Sequence, residues 1–106
     1  LVAIIDAVGD RGAMQSAMGE VRKALPDSPV MLLSLDPEGK VALLADVPQI
    51  AIDRGLKAGD WIKAVAPVVG GKGGGRPNQA QGGGPEGGHI KAAADKAQEV
   101  ALASMA

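Results

Sequence analysis

Two cations, Lys72 and Arg76, stand inside an unusual run: Gly70-Gly71-Lys72-Gly73-Gly74-Gly75-Arg76-Pro77-Asn78-Gln79-Ala80-Gln81-Gly82-Gly83-Gly84. Ordering one backbone residue costs roughly 1–2 kcal/mol, and glycine loses the most freedom of any residue, so such a run inside a folded domain needs a reason. Without a Cβ, successive N–H groups can point one way and touch a phosphate or another backbone. Lys72 and Arg76 supply matching charge, and an arginine can grip phosphate through two parallel hydrogen bonds. A flexible linker is the plain alternative. It would mix glycine with serine and would not need Arg-Pro-Asn-Gln-Ala-Gln between two glycine triplets.

Two phosphate motifs fail on the same stretch. A Walker loop needs Ser or Thr after Gly-Lys to hold magnesium, and Gly73 follows Lys72. Gly82, Gly84 and Gly87 fit G-x-G-x-x-G, but no apolar strand leads into them and Pro85 lies inside, so the match is a by-product of glycine content.

Composition narrows the function further. A formal net charge of −1 gives little long-range attraction to nucleic acid, so any RNA contact is local. Trp61 is the only aromatic residue, which rules out a base-stacking platform and leaves recognition of a folded RNA by shape and backbone. With no Cys there are no disulfides and no thiolate-held zinc, and the Asp residues and the single histidine, His89, show no metal-ligand spacing. The longest apolar run, Val30 to Leu33, is far short of the roughly 20 residues that cross a bilayer. The opening at Leu1 without Met suggests a piece of a longer protein, and 1–106 reads as one domain.

The elements that must hold the run follow from periodicity. Leu1 to Val8 is nearly continuous in apolar residues and predicts an interior strand covered on both faces, broken at Gly9-Asp10. Asp10 suits a helix cap; Met14, Met18, Val21 and Leu25 share one helical face, with Arg11, Gln15, Glu20, Arg22 and Lys23 mostly on the other, and Pro26 ends the helix. Pro29–Leu35 and Lys40–Ala45 flank the turn sequence Asp36-Pro37-Glu38-Gly39 and predict a hairpin. A short helix starts at Asp46-Val47-Pro48 and ends at Gly55. Another begins near Ala58 or Asp60, buries Trp61, Ile62, Val65, Val68 and Val69, and is kinked by Pro67. Ile90, Ala94, Ala97, Ala101 and Met105 recur at helical spacing in a terminal helix, with Val100 and Leu102 widening the stripe. The fold class is α/β: a small mixed sheet packed with helices, and a glycine-rich loop before a C-terminal helix.

Gly70 to Pro77, followed by Ala80-Gln81-Gly82-Gly83-Gly84, closely resembles the glycine-rich signature in the C-terminal domain of alanyl-tRNA synthetases. That domain is of the accessory type also attached to phosphoesterases with an Asp-His-His motif. The likeness covers nearly the whole chain in layout. Asn78 and Gln79 stand where the family commonly has an acidic and then a large apolar residue.

The resemblance implies a tRNA-binding module that engages the outer corner of an alanine-specific tRNA and helps couple aminoacylation with editing. Its RNA contacts fall on Lys72, Gly73, Gly74, Gly75, Arg76, Gln81, Gly82 and Gly83. No catalytic residue and no cofactor belong to the fragment, whereas ATP and zinc belong to the parent ligase. The partners are tRNA and the rest of the synthetase, in the cytoplasm and without a membrane. Two other readings stand beside it: the substrate-binding lobe of an Asp-His-His phosphoesterase or nuclease, toward which Gly87-Gly88-His89 is loosely similar, and a homodimer packed through its glycines.

Overall fold

Five strands, β1 (Val2–Ile4), β2 (Val30–Leu35), β3 (Val41–Asp46), β4 (Lys72–Gly75) and β5 (Gln79–Gly84), form one sheet in the computed structural model, which describes residues 1–6 and 10–105. The strand order is β1-β2-β3-β5-β4, with only β1 and β2 parallel. Around it lie α1 (Arg11–Ala24), α2 (Gln49–Asp53), α3 (Ala58–Val65) and α4 (Ile90–Met105), with 3-10 turns at Ala66–Val69 and Gly87–His89. The mixed α/β fold expected from periodicity is the one the chain adopts.

Successive strand residues point to opposite faces, and this divides the core in two. Val30, Leu32, Ala42 and Leu44 meet Met14 and Met18 of α1. Met31, Leu33, Val41, Leu43 and Ala45 meet Trp61, Ile62 and Val65 of α3 and Ala93 and Ala97 of α4. Both methionines of α1 are therefore core filling.

The local signals explain where the elements begin and end. The Asp10 carboxylate accepts from the N–H groups of Gly12 (2.8 Å) and Ala13 (3.2 Å), and α1 stops at Ala24, two residues before Pro26. In the β2–β3 turn the Asp36 carboxylate accepts from the N–H groups of Glu38 (2.9 Å) and Lys40 (2.8 Å). Pro48 caps α2 rather than opening it. Pro67 shows itself as a change of helix type: after Val65 the chain tightens into the 3-10 turn, which Gly70 closes at φ 72°, a conformation costly for any residue with a Cβ. The Trp61 ring is fully buried, and its Nε1–H donates to the Ala97 carbonyl at 2.9 Å, joining α3 to α4.

Two expectations are corrected. The first strand is an edge strand, not an interior one: among the described residues β1 pairs only with β2, and Ile4 is 49% exposed. Its apolar run reflects side chains shared between the two cores, Ala3 and Ile5 with one and Val2 with the other, and says nothing about the number of bonded neighbours. Ala7, Val8 and Gly9 lie outside the described residues. The second correction concerns Leu102 of α4, expected to widen the apolar stripe and instead 66% exposed; Ile90, Ala94, Ala97, Val100 and Ala101 pack on the core as expected, joined by the fully buried Ala93. The side chain of Met105, the last member of the expected stripe, also lies outside what is described.

Candidate nucleic-acid interface

The glycine run is a β-hairpin. Lys72, Gly73, Gly74 and Gly75 pair with Gly83, Gly82, Gln81 and Ala80, and Pro77-Asn78 form the tip between Arg76 and Gln79, closed by the Arg76 N–H donating to the Gln79 carbonyl at 2.9 Å. Three backbone bonds fasten the tip: the N–H groups of Ala58, Gly59 and Val47 donate to the carbonyls of Pro77 (2.7 Å), Arg76 (3.2 Å) and Asn78 (2.8 Å). The expected irregular loop is thus strand, because β5 pairs with β3 along its whole length and brings β4 with it. Tertiary pairing overrides the poor strand propensity of glycine.

One side of the hairpin is committed to packing. A Cβ at Gly73 would lie 2.5 Å from Ile62 Cγ2 and 2.6 Å from the Gly82 Cα, and one at Gly82 would lie 2.8 Å from Ile62 Cγ2. Facing them, a Cβ at Gly59 of α3 would lie 2.8 Å from the Gly75 carbonyl oxygen. Helix and hairpin therefore meet backbone to backbone. Of the residues expected to contact RNA, Gly73, Gly75 and Gly82 have this internal role.

The other side is open. Alternation along the strands puts Lys72, Gly74 and Arg76 of β4 and Gln79, Gln81 and Gly83 of β5 on the face toward α1. Helix α1 packs on β2 and β3, so it leaves this face largely uncovered. Lys72 and Arg76 are both exposed, and among the described residues neither has an ion-pair or side-chain hydrogen-bond partner. β4 is also the sheet's edge. Since Arg76 and Gln79 form a hydrogen-bonded pair, antiparallel alternation turns the N–H and C=O of Gly73 outward from that edge. Two free cations thus flank a bare stretch of backbone.

Arg11, the first residue of α1, joins this face. Its Nη1 donates to the Leu43 carbonyl (3.3 Å) and to Gln81 Oε1 (3.2 Å), and its Nη2 donates to the Gly82 carbonyl (3.1 Å). All three acceptors are uncharged, so the guanidinium keeps its full charge. Sequence reading puts Arg11 on the solvated face of its helix. One signal marks it: a cation in the first turn opposes the helix dipole and calls for compensation elsewhere.

Two grooves cut this face. One, of about 520 Å³, is bordered by Arg11, Lys40 and Lys72 with Gly82, Gly83 and Gly84 along it. The other, of about 260 Å³, is lined by Gln15, Arg76, Asn78, Gln79 and Gln81 beside Leu44. His89 is occupied elsewhere: its Nδ1 lies 3.2 Å from the Val68 carbonyl and 3.5 Å from Glu86 Oε2. Among the described residues no three His, Asp or Glu side chains converge as metal ligands, and the chain has no Cys. Also among them, no helix is long and apolar enough to cross a membrane.

Comparison with known proteins gives a consistent set. The DHHA1 domain family matches residues 1–103. A cytoplasmic alanine–tRNA ligase of Drosophila melanogaster is 42% identical over 82 residues, which is 76% of this chain and 8% of the ligase. An alanine–tRNA ligase of Staphylococcus saprophyticus is 51% identical over 74 residues, 70% of this chain and 8% of the ligase. The chain therefore spans less than a tenth of these relatives. The crystal structure of the C-Ala domain from Aquifex aeolicus alanyl-tRNA synthetase superposes with a TM-score of 0.78 at 21% identity, covering 99% of this chain and 89% of that one, a likeness of fold.

Proposed function

Because the chain belongs to the DHHA1 domain family, we propose that it is the C-terminal tRNA-binding module of an alanyl-tRNA synthetase, a cytoplasmic ligase whose ATP and zinc chemistry is carried by other parts of the protein. The alanine–tRNA ligases among its relatives favour this over a phosphoesterase lobe. The observation that carries the reading is the open face of the β4–β5 hairpin, where Lys72 and Arg76 are exposed and, among the described residues, unpaired on either side of Gly73-Gly74-Gly75.

Phosphates are met by Lys72 and Arg76, which position the RNA without reading its sequence. The outward Gly73 amide and the bare Cα of Gly74 let the sugar-phosphate backbone come close, while Gln81 and Gly83 continue the surface onto β5. Gly75 and Gly82 serve it indirectly by letting α3 hold the hairpin flat. On its own, such a surface makes few contacts, binds weakly and weakens further with salt. Attachment to the synthetase body raises the effective concentration and brings aminoacylation and editing onto one bound tRNA.

A titration with alanine-specific tRNA at two salt concentrations tests this. Arg76→Ala is expected to lose about 1–3 kcal/mol of binding, the range for a charge-assisted hydrogen bond, with an unchanged circular dichroism spectrum. Undiminished affinity in that folded variant removes Arg76 from the interface. A wild-type chain that ignores tRNA at low salt removes the function.

A further inference from the structure

Resting on that tRNA reading, we infer that the bound RNA strand crosses the open face from β4 toward α1. Its phosphates lie on Lys72, Arg11 and Lys40, and a nucleotide's sugar or base edge lies against Gln15 and Gln81. The alternative course, along the outer edge of β4 past Lys63, is poorer in every respect that matters.

Charge is the first reason. Arg11, Lys40 and Lys72 border one groove. Among the described residues, the one carboxylate paired with any of them is Glu38, 3.8 Å from the Lys40 ammonium, and both side chains are mostly exposed. An exposed pair of this kind contributes little and yields readily to a phosphate. Arg11 is already oriented: of its five N–H donors, three bonds run to protein oxygens, which fix the plane of the guanidinium and leave donors for a ligand.

Shape is the second. Between Lys72 and Arg11 the groove runs over Gly82, Gly83 and Gly84, with Val41, Gln81 and Pro85 at its sides, so three successive residues give a strand lying across the sheet bare backbone to rest on. A Cβ at Gly83 would run into the Val41 carbonyl, so that glycine is required by the sheet itself and the bare path is a permanent feature. The adjoining groove supplies carboxamides. Gln15 has no partner among the described residues, and Gln81 uses its Oε1 for Arg11 while its NH₂ stays free. Carboxamides offer both donors and acceptors, the chemistry that reads base edges and the ribose 2′-hydroxyl. The rival edge has Lys63 and Lys72 beside Ala66 and Pro67, with one cation fewer and no carboxamide.

The test is a set of tRNA titrations of the 106-residue chain and its variants at two salt concentrations. Lys40→Gln is expected to weaken binding about tenfold and to lower the salt slope by about 1, as for one lost phosphate contact. Gln15→Ala weakens it about threefold to tenfold with the slope unchanged, since no charge is removed. Lys63→Gln leaves the affinity within about twofold. Both Lys40 and Gln15 are exposed, so these variants fold, and Arg11→Gln is a supporting member of the set. If Arg76→Ala weakens binding while Lys40→Gln and Gln15→Ala do not, the crossing path is wrong and the tRNA module stands. If Lys63→Gln carries the loss, the strand follows the edge. If the wild-type chain does not bind tRNA, both the path and the function beneath it fall.

Discussion

On the side of the β4–β5 hairpin turned to α3, a Cβ at Gly73 would strike Ile62, the Gly82 backbone and the Gln81 carbonyl. One residue along, on the side turned to α1, a Cβ at Gly74 would meet only the end of the Lys63 side chain, at 3.3 Å. Neighbouring glycines in one run therefore answer different demands. Those on the covered side let a helix lie against a sheet at backbone distance. Gly74, on the open side where packing asks nothing of it, keeps a surface bare between Lys72 and Arg76, although its neighbour across the hairpin, Gly83, is held by the Val41 carbonyl. A strand's period of two separates the two sets, and a glycine count in the sequence merges them.

The sharpest way to break this contrast is to damage each side and ask what is lost. The largest effect belongs to Trp61, buried beneath the covered side and bonded to the Ala97 carbonyl. Trp61→Ala is expected to cost about 3–5 kcal/mol, read as a lowered urea midpoint. A loss below about 1 kcal/mol would mean that α3 is not what holds the hairpin. Next comes Gly73→Ala. The new methyl has to displace backbone as well as Ile62, so overpacking is expected to cost about 1–3 kcal/mol in the same measurement, beyond what the alanine gains by stiffening the unfolded chain. A Gly73→Ala chain as stable as wild type would show that the seam gives way and that packing does not explain this glycine.

Much of the scaffold around the hairpin was legible in the sequence. The Asp10 cap, the methionine face of α1, the Asp36-Pro37-Glu38-Gly39 turn and the break at Pro67 are local signals, and each appears where its chemistry puts it. The phase of α4 was legible at Ile90, Ala94, Ala97 and Ala101, which pack on the core, but not at its margins, where Ala93 is buried and Leu102 is exposed. Nor was the strand state of Lys72–Gly75, which comes from pairing with β5 and through it with β3. On the open side, Lys72 and Arg76 stand out by their setting among glycines. Arg11 and Lys40 could not be joined to them, since Arg11 meets Gln81 across 70 positions of sequence and only the sheet order brings Lys40 to the same groove.

Gly74→Ala has the smallest expected effect on the fold and separates the two roles of glycine most cleanly. Gly74 is not among the positive-φ glycines, and the one close neighbour of its added methyl is a flexible lysine end that can swing into solvent. With fewer unfolded conformations to lose, the variant is expected to equal wild type or exceed it by about 0.4–1 kcal/mol, opposite in sign to its neighbour Gly73. Its tRNA affinity is expected to move the other way, falling by about 1 kcal/mol as the methyl lifts the RNA backbone off the strand between Lys72 and Arg76. Stability that rises while binding falls would tie this glycine to the ligand, because nothing inside the protein requires it. Stability and binding both unchanged would leave the open face defined by its charges alone, with the bareness of β4 an accident of a glycine-rich edge.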